Sequence, residues 1–249
     1  MFTRALVVVV LTVVLVLIVG PFIHPAVPVP KEGYVFITGC TEGGLGFEVL
    51  KEIINTQPSS IKVVCTLRKL QDVEPIVNQF GGTDRVVTII ADVADEQRVK
   101  KLENEMKEFK IIGLVNNAGI GGRSSLEVSH PATNNISFIM LTPHDLTNKN
   151  LEYRSIITVN LFGLLDVTKA LLSNLKRSAP GSRIVNIGSM AGTFGRPNAL
   201  AYTTSKRAVE AATDVMRMEL APQGISVAVI QAGYFASKLC NRKGGTSNF

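Results

Sequence analysis

The apolar residues of this 249-residue chain fall into two kinds of run. Residues 5–23 form one unbroken block, almost all Val, Leu and Ile. Past a proline-rich link at 24–32, short apolar runs alternate with stretches whose apolar residues return every three or four positions. That pattern predicts strands at 34–38, 61–66, 86–91, 111–115, 183–187 and 225–230. It predicts helices at 45–56, 70–80, 95–109, 151–176 and 199–221. In the first helix Leu45, Val49, Ile53 and Ile54 share a side. Ile156, Val159, Leu164, Val167 and Leu171 supply the apolar positions of the fourth. Strands that alternate with helices require crossover connections, so the expected class is α/β with a doubly wound parallel sheet. One such domain is expected over residues 33–249.

The block at 5–23 carries no charge and approaches the ~20 residues that span a bilayer as a helix. Arg4 precedes it, and Pro21 and Pro25 close it. A single-pass membrane anchor over residues 1–23 is the expectation. A cleaved signal is the competing reading and a buried helix a third. The run is long for a signal, and no small-x-small cleavage site follows it. Arg4 and Lys31 nearly balance, which leaves the orientation open.

The net charge is +6, and 46% of residues are hydrophobic. No nucleic-acid motif accompanies the charge, so it reads as a solvated surface or one facing anionic lipid. Cys40, Cys65 and Cys240 are scattered and odd in number, and His24, His130 and His144 form no cluster. Neither a disulfide framework nor a metal site is expected.

The turn after the first strand reads Thr38-Gly39-Cys40-Thr41-Glu42-Gly43-Gly44-Leu45-Gly46. Glycines in a strand-to-helix turn let backbone approach a pyrophosphate, and the helix start offers it free N–H groups. A plain tight turn is the alternative. The second strand ends in Cys65-Thr66-Leu67-Arg68-Lys69, without an acid to hold free ribose hydroxyls. Arg68 and Lys69 suit the extra phosphate of NADP(H), which is favoured over NAD(H) unless both are ordinary surface cations. Asp92, past the third strand, is placed either to hydrogen-bond an adenine amino group or to cap the next helix.

Tyr202 and Lys206 lie four residues apart within the predicted helix 199–221, so they share a face. A phenol titrates near ~10 in water. A neighbouring ammonium favours the phenolate and suits the pair to acid/base work on an alcohol or carbonyl. Such pairs also arise by chance in helices.

Five motifs in order make the chain resemble the short-chain dehydrogenase/reductase family from about residue 33 to 239. They are the glycine turn, Asn116-Asn117-Ala118-Gly119, Asn160 in Thr-Val-Asn-Leu, Ser189 in Asn-Ile-Gly-Ser, and Tyr202 with Lys206. Gly224-Ile225-Ser226-Val227 and Ala232-Gly233-Tyr234-Phe235 look like its retinol and hydroxysteroid dehydrogenase group. The resemblance implies a Rossmann-like sheet of order 3-2-1-4-5-6. It implies an oxidoreductase moving hydride between a nicotinamide cofactor and a lipophilic alcohol or carbonyl.

In that resemblance Tyr202 is the acid/base, and Lys206 lowers its pKa and holds the nicotinamide ribose. Ser189 binds the substrate oxygen, and Asn160 supports a water chain from Lys206. Cofactor contacts are implied for Thr38, Gly39, Gly43, Gly44, Leu45, Gly46, Arg68, Asp92, Asn116, Ala118, Gly119, Tyr202, Lys206, Gly233 and Ser237. A homodimer through the two long helices and attachment to the endoplasmic reticulum are also implied. The bland readings are that Ser189 ends a strand, Asn160 bonds nearby backbone, and Asn116 or Asn117 ties adjacent loops.

Four departures from the family pattern stand out. The glycine turn holds one residue more than usual, which predicts a bulged phosphate loop. Residues 121–150 form a long link, read as a flap, a membrane contact or a disordered segment. Ala232 replaces a proline, and Ser237 a threonine. The sequence stops at Phe249, so a seventh strand and substrate-covering segment are not expected. The rival function is therefore an inactive, membrane-anchored nucleotide-binding or scaffold protein.

Overall fold

The computed structural model describes residue 28 and residues 30–80, 84–121, 153–195 and 197–233. The apolar block at 5–23, the link at 122–150 and Ser237 lie outside the described residues.

Six strands form one sheet in the order β3-β2-β1-β4-β5-β6, with every neighbouring pair parallel. They are β1 (Gly33–Ile37), β2 (Ile61–Leu67), β3 (Val86–Ile90), β4 (Ile111–Asn116), β5 (Arg183–Ile187) and β6 (Ser226–Ile230). The helices are α1 (Leu45–Thr56), α2 (Val73–Phe80), α3 (Glu96–Glu105), α4 (Tyr153–Arg177) and α5 (Leu200–Leu220). The strand order is the expected one. Its direction reverses between β1 and β4, and the crevice beyond their carboxyl ends is where such sheets bind ligands.

Side chains of a strand alternate between faces, and each face here has its own core. Phe36, Val64, Leu114 and Ile184 pack with Val99 and Leu102 of α3 and with Val167, Leu171 and Leu175 of α4. Their sequence neighbours Ile37, Val63, Cys65 and Val115 point the other way, onto Phe47 and Leu50 of α1 and Ile76 and Phe80 of α2. All six residues of β4 are buried, as befits a central strand covered on both sides. By length and composition α4 has a stretch able to cross a membrane. Its Val167, Leu171 and Leu175 belong to the sheet core instead.

Two helices depart from their predicted ranges by more than two residues. The stretch predicted helical at 70–80 begins as a 3₁₀ turn, Leu70–Asp72, and becomes α-helical only from Val73. Pro75 then falls in the first turn of α2, where its missing N–H costs nothing. The helix expected at 95–109 runs from Glu96 to Glu105, with Asp95 as its cap accepting from Arg98 N at 2.9 Å.

Candidate active site

A cavity of about 480 Å³ opens beyond the carboxyl ends of the strands. One wall is the glycine turn. Gly39 and Gly43 take φ of +74° and +73°, a region open to glycine. A Cβ on Gly39 would meet Ala118 Cα at 3.0 Å, and one on Gly46 would meet Gly39 O at 2.5 Å. The turn is therefore pressed onto the β4 loop on one side and onto α1 on the other. Within the glycine turn Gly44 N donates to Thr41 O at 3.0 Å. Gly44 then starts α1 with no side-chain cap, which leaves the first N–H groups of the helix open to a ligand.

Thr38 does not line this space. It is buried, and its Oγ1 accepts from Asn117 N and Ala118 N, both at 2.9 Å. Asn117 answers by donating Nδ2 to Thr38 O at 2.8 Å and Gly39 O at 2.9 Å. These four bonds fasten the glycine turn to the β4 loop, so Ala118 and Gly119 face the cavity together with Gly39, Gly44 and Leu45. Gly43 and Gly46 shape the turn without lining it.

Asn116 turns its side chain away from the cavity. Its Nδ2 donates to Thr168 Oγ1 and Asn186 Oδ1, both at 2.9 Å, inside the core. It shares its face of β4 with Leu114, two residues earlier, and that face packs on α4 rather than on the cavity. Asp92 does line the cavity, with its Oδ1 accepting from Ala94 N at 2.9 Å. Asp95, not Asp92, caps the helix.

At the far edge Arg68 and Lys69 are exposed and line the cavity, along with Gln71 and Asp72. Thr41, Asp72, Ile120 and Val159 also face it and were missed in the sequence.

At the opposite end sit Ser189, Tyr202, Lys206 and Gly233. Lys206 is buried, its Nζ donating to Ile187 O at 2.7 Å and lying 5.9 Å from the centre of the Tyr202 ring. Burial lowers the Lys206 pKa to about 8. The ammonium is thus poorly solvated and gains from any negative charge that forms beside it. Ser189 Oγ accepts from Ala191 N at 3.1 Å, so its hydroxyl proton remains for a ligand. Gly188 N donates to Ile230 O and Met190 N to Ala232 O, which draws the loop after β6, and Gly233 with it, to the cavity.

Asn160 stands behind the wall. It lies in a π-helical turn of α4, Thr158–Phe162, and is buried. Its Oδ1 accepts from Ile120 N, while its Nδ2 donates to Ile120 O and to Ser205 Oγ. Ser205 Oγ in turn donates to Tyr202 O at 2.7 Å. Asn160 therefore links the β4 loop to the helix that carries Tyr202 and Lys206.

The short chain dehydrogenase model matches residues 33–246. The chain belongs to the short-chain dehydrogenase family. It is 31% identical over 223 residues to retinol dehydrogenase 16 of Rattus norvegicus, with 88% of this chain and 62% of that protein covered. It is 32% identical over 213 residues to 17-beta-hydroxysteroid dehydrogenase type 6 of Bos taurus, covering 84% of this chain and 59% of the relative. The chain thus spans less than two thirds of the length of these curated relatives. Its fold is similar to that of a gluconate 5-dehydrogenase from Burkholderia cenocepacia J2315, solved with NADP and tartrate. The TM-score is 0.69 at 24% identity, over 86% of this chain and 75% of that one.

Proposed function

We propose that the chain is an oxidoreductase of CH–OH groups that binds a nicotinamide dinucleotide, NADP(H) before NAD(H), and acts on a lipophilic alcohol or carbonyl of steroid or retinoid type. The observation that carries this reading is Lys206. Its buried Nζ lies 5.9 Å from the Tyr202 ring, in one cavity with Ser189 and the glycine turn. Two features support a dinucleotide: the cavity volume is in the range of ligand pockets, and its turn presents uncapped helix N–H groups. Gly39, Gly44 and Leu45 would hold the pyrophosphate, Arg68 and Lys69 the adenosine phosphate, and Asp92 the adenine. Bound nicotinamide would supply or accept the hydride.

Tyr202 gives a proton to the carbonyl oxygen in reduction and takes it from the alcohol in oxidation. Lys206 stabilises the phenolate left behind, and its low solvation makes that stabilisation strong. Ser189 donates to the same substrate oxygen and fixes its distance from Tyr202. Asn160 keeps Ile120 and the Tyr202 helix in register. The choice of steroids and retinoids leans on the names of the two curated relatives.

Residues 1–23 serve in this reading as a single-pass anchor, followed by a link at 24–32 and the catalytic domain at 33–249. The anchor brings the enzyme to membrane-dissolved substrate, and the endoplasmic reticulum is the proposed site. Exposed apolar side chains on both long helices support a homodimer, namely Phe162 on α4 and Val215 and Met218 on α5. The test is a panel of sterols, steroids and retinoids offered with each cofactor to the full chain. Turnover of at least one by wild type is expected. Silence across the panel, with NADP(H) still bound, would favour the scaffold reading.

A further inference from the structure

The second strand ends without an acid, yet the fold brings one to the same place. Asp72 closes the 3₁₀ turn Leu70–Asp72, lines the cavity beside Arg68, Lys69 and Gln71, and is half-buried. Its Oδ2 accepts from Thr41 Oγ1 of the glycine turn at 3.4 Å. A contact that long is weak and easily exchanged for a ligand hydroxyl. Among the described residues neither Arg68 nor Lys69 forms an ion pair with Asp72, so the three charges are all presented to the cavity.

We propose that Asp72 sets the cofactor ratio: it accepts the adenosine ribose hydroxyls of NAD(H) in exchange for Thr41 and opposes the phosphate of NADP(H). This deepens the cofactor reading above and rests on it. Arg68 and Lys69 pull towards the phosphorylated cofactor and Asp72 against it, so the chain binds both. A carboxylate is a strong acceptor for paired ribose hydroxyls and repels a phosphate dianion at close range.

The experiment titrates NADPH and NADH into the full chain as wild type, Asp72→Asn and Thr41→Val. Asp72→Asn is expected to raise the preference for NADPH about tenfold, by tightening NADPH and weakening NADH. Thr41→Val, which removes the clasp and keeps the charge, should leave the preference within about twofold. Equal shifts of both affinities in Asp72→Asn would make Asp72 a mere clasp and overturn the proposal, as would no shift at all. Binding with an unmoved ratio defeats only the role of Asp72. Failure of wild type to bind either nucleotide defeats the cofactor reading and this inference with it.

Discussion

Asn160 holds both backbone groups of Ile120, accepting from its N–H at 2.8 Å and donating to its carbonyl at 3.0 Å. A third bond, Nδ2 to Ser205 Oγ at 3.0 Å, ties the same side chain to α5. Asn160→Ala would leave these partly buried groups unpaired, at a cost of about 2 kcal/mol. For a domain of this size the melting temperature should fall by about 4–8 °C. Thermal unfolding monitored by circular dichroism checks this, and an unchanged midpoint would show the three bonds to be dispensable.

Lys206 gives stability a pH signature. Its pKa is lowered from 10.5 to about 8 by burial. Below pH 8 both folded and unfolded chains carry the proton, and folding bears the whole desolvation cost. Between about 8 and 10.5 the folded chain has released the proton while the unfolded chain keeps it, so stability rises with pH. Relative to Lys206→Met, wild type should gain roughly 2 kcal/mol between about pH 7.5 and pH 10. Denaturant titrations of both proteins at the two pH values measure the gap. A constant gap would mean that Lys206 is not poorly solvated.

Arg68 separates the two cofactors. Arg68→Asp should weaken NADP(H) binding by about tenfold or more and leave NAD(H) unchanged or tighter, because only the phosphate needs the guanidinium. Titration calorimetry with both nucleotides reads this out. Unchanged NADP(H) affinity would remove the basis for preferring that cofactor.

Gly39 has no room for a side chain. Its φ is +74°, and a Cβ would press on Ala118 Cα at 3.0 Å. Gly39→Ala should cost about 1–2 kcal/mol of stability and weaken both nucleotides together, since the turn and the Ala118 loop must part. Chemical denaturation with nucleotide titration tests both halves. Full affinity in the variant would mean that the turn does not approach the cofactor.

The strands and their parallel order were legible because a chain that alternates apolar strands with amphipathic helices has few ways to bury both. The glycine turn and the Tyr202–Lys206 spacing were equally plain, since each is local in sequence. The Asn-Asn-Ala-Gly motif led to Asn116 being read as a cofactor contact and to Asn117, which lines the cavity, being passed over. Strand alternation from Leu114 already placed Asn116 on the core face and freed Asn117 for the turn. Asp72 was hidden for a different reason. Only the 3₁₀ turn ahead of Pro75 swings it back to the cavity, and nothing in the local pattern fixes that turn. The partners of Asn160, Ile120 and Ser205, lie 40 and 45 residues away and are brought together by the sheet alone.

The central claim is that Tyr202 moves a proton while hydride crosses to or from a bound nicotinamide. Single-turnover reduction of a carbonyl steroid or retinoid with NADPH deuterated at the transferring position tests it most directly, in wild type beside Tyr202→Phe. Deuterium should appear on the product carbon with wild type, and at less than about a hundredth of that rate with the variant, while both bind NADPH equally. Equal label from the two proteins would contradict the account.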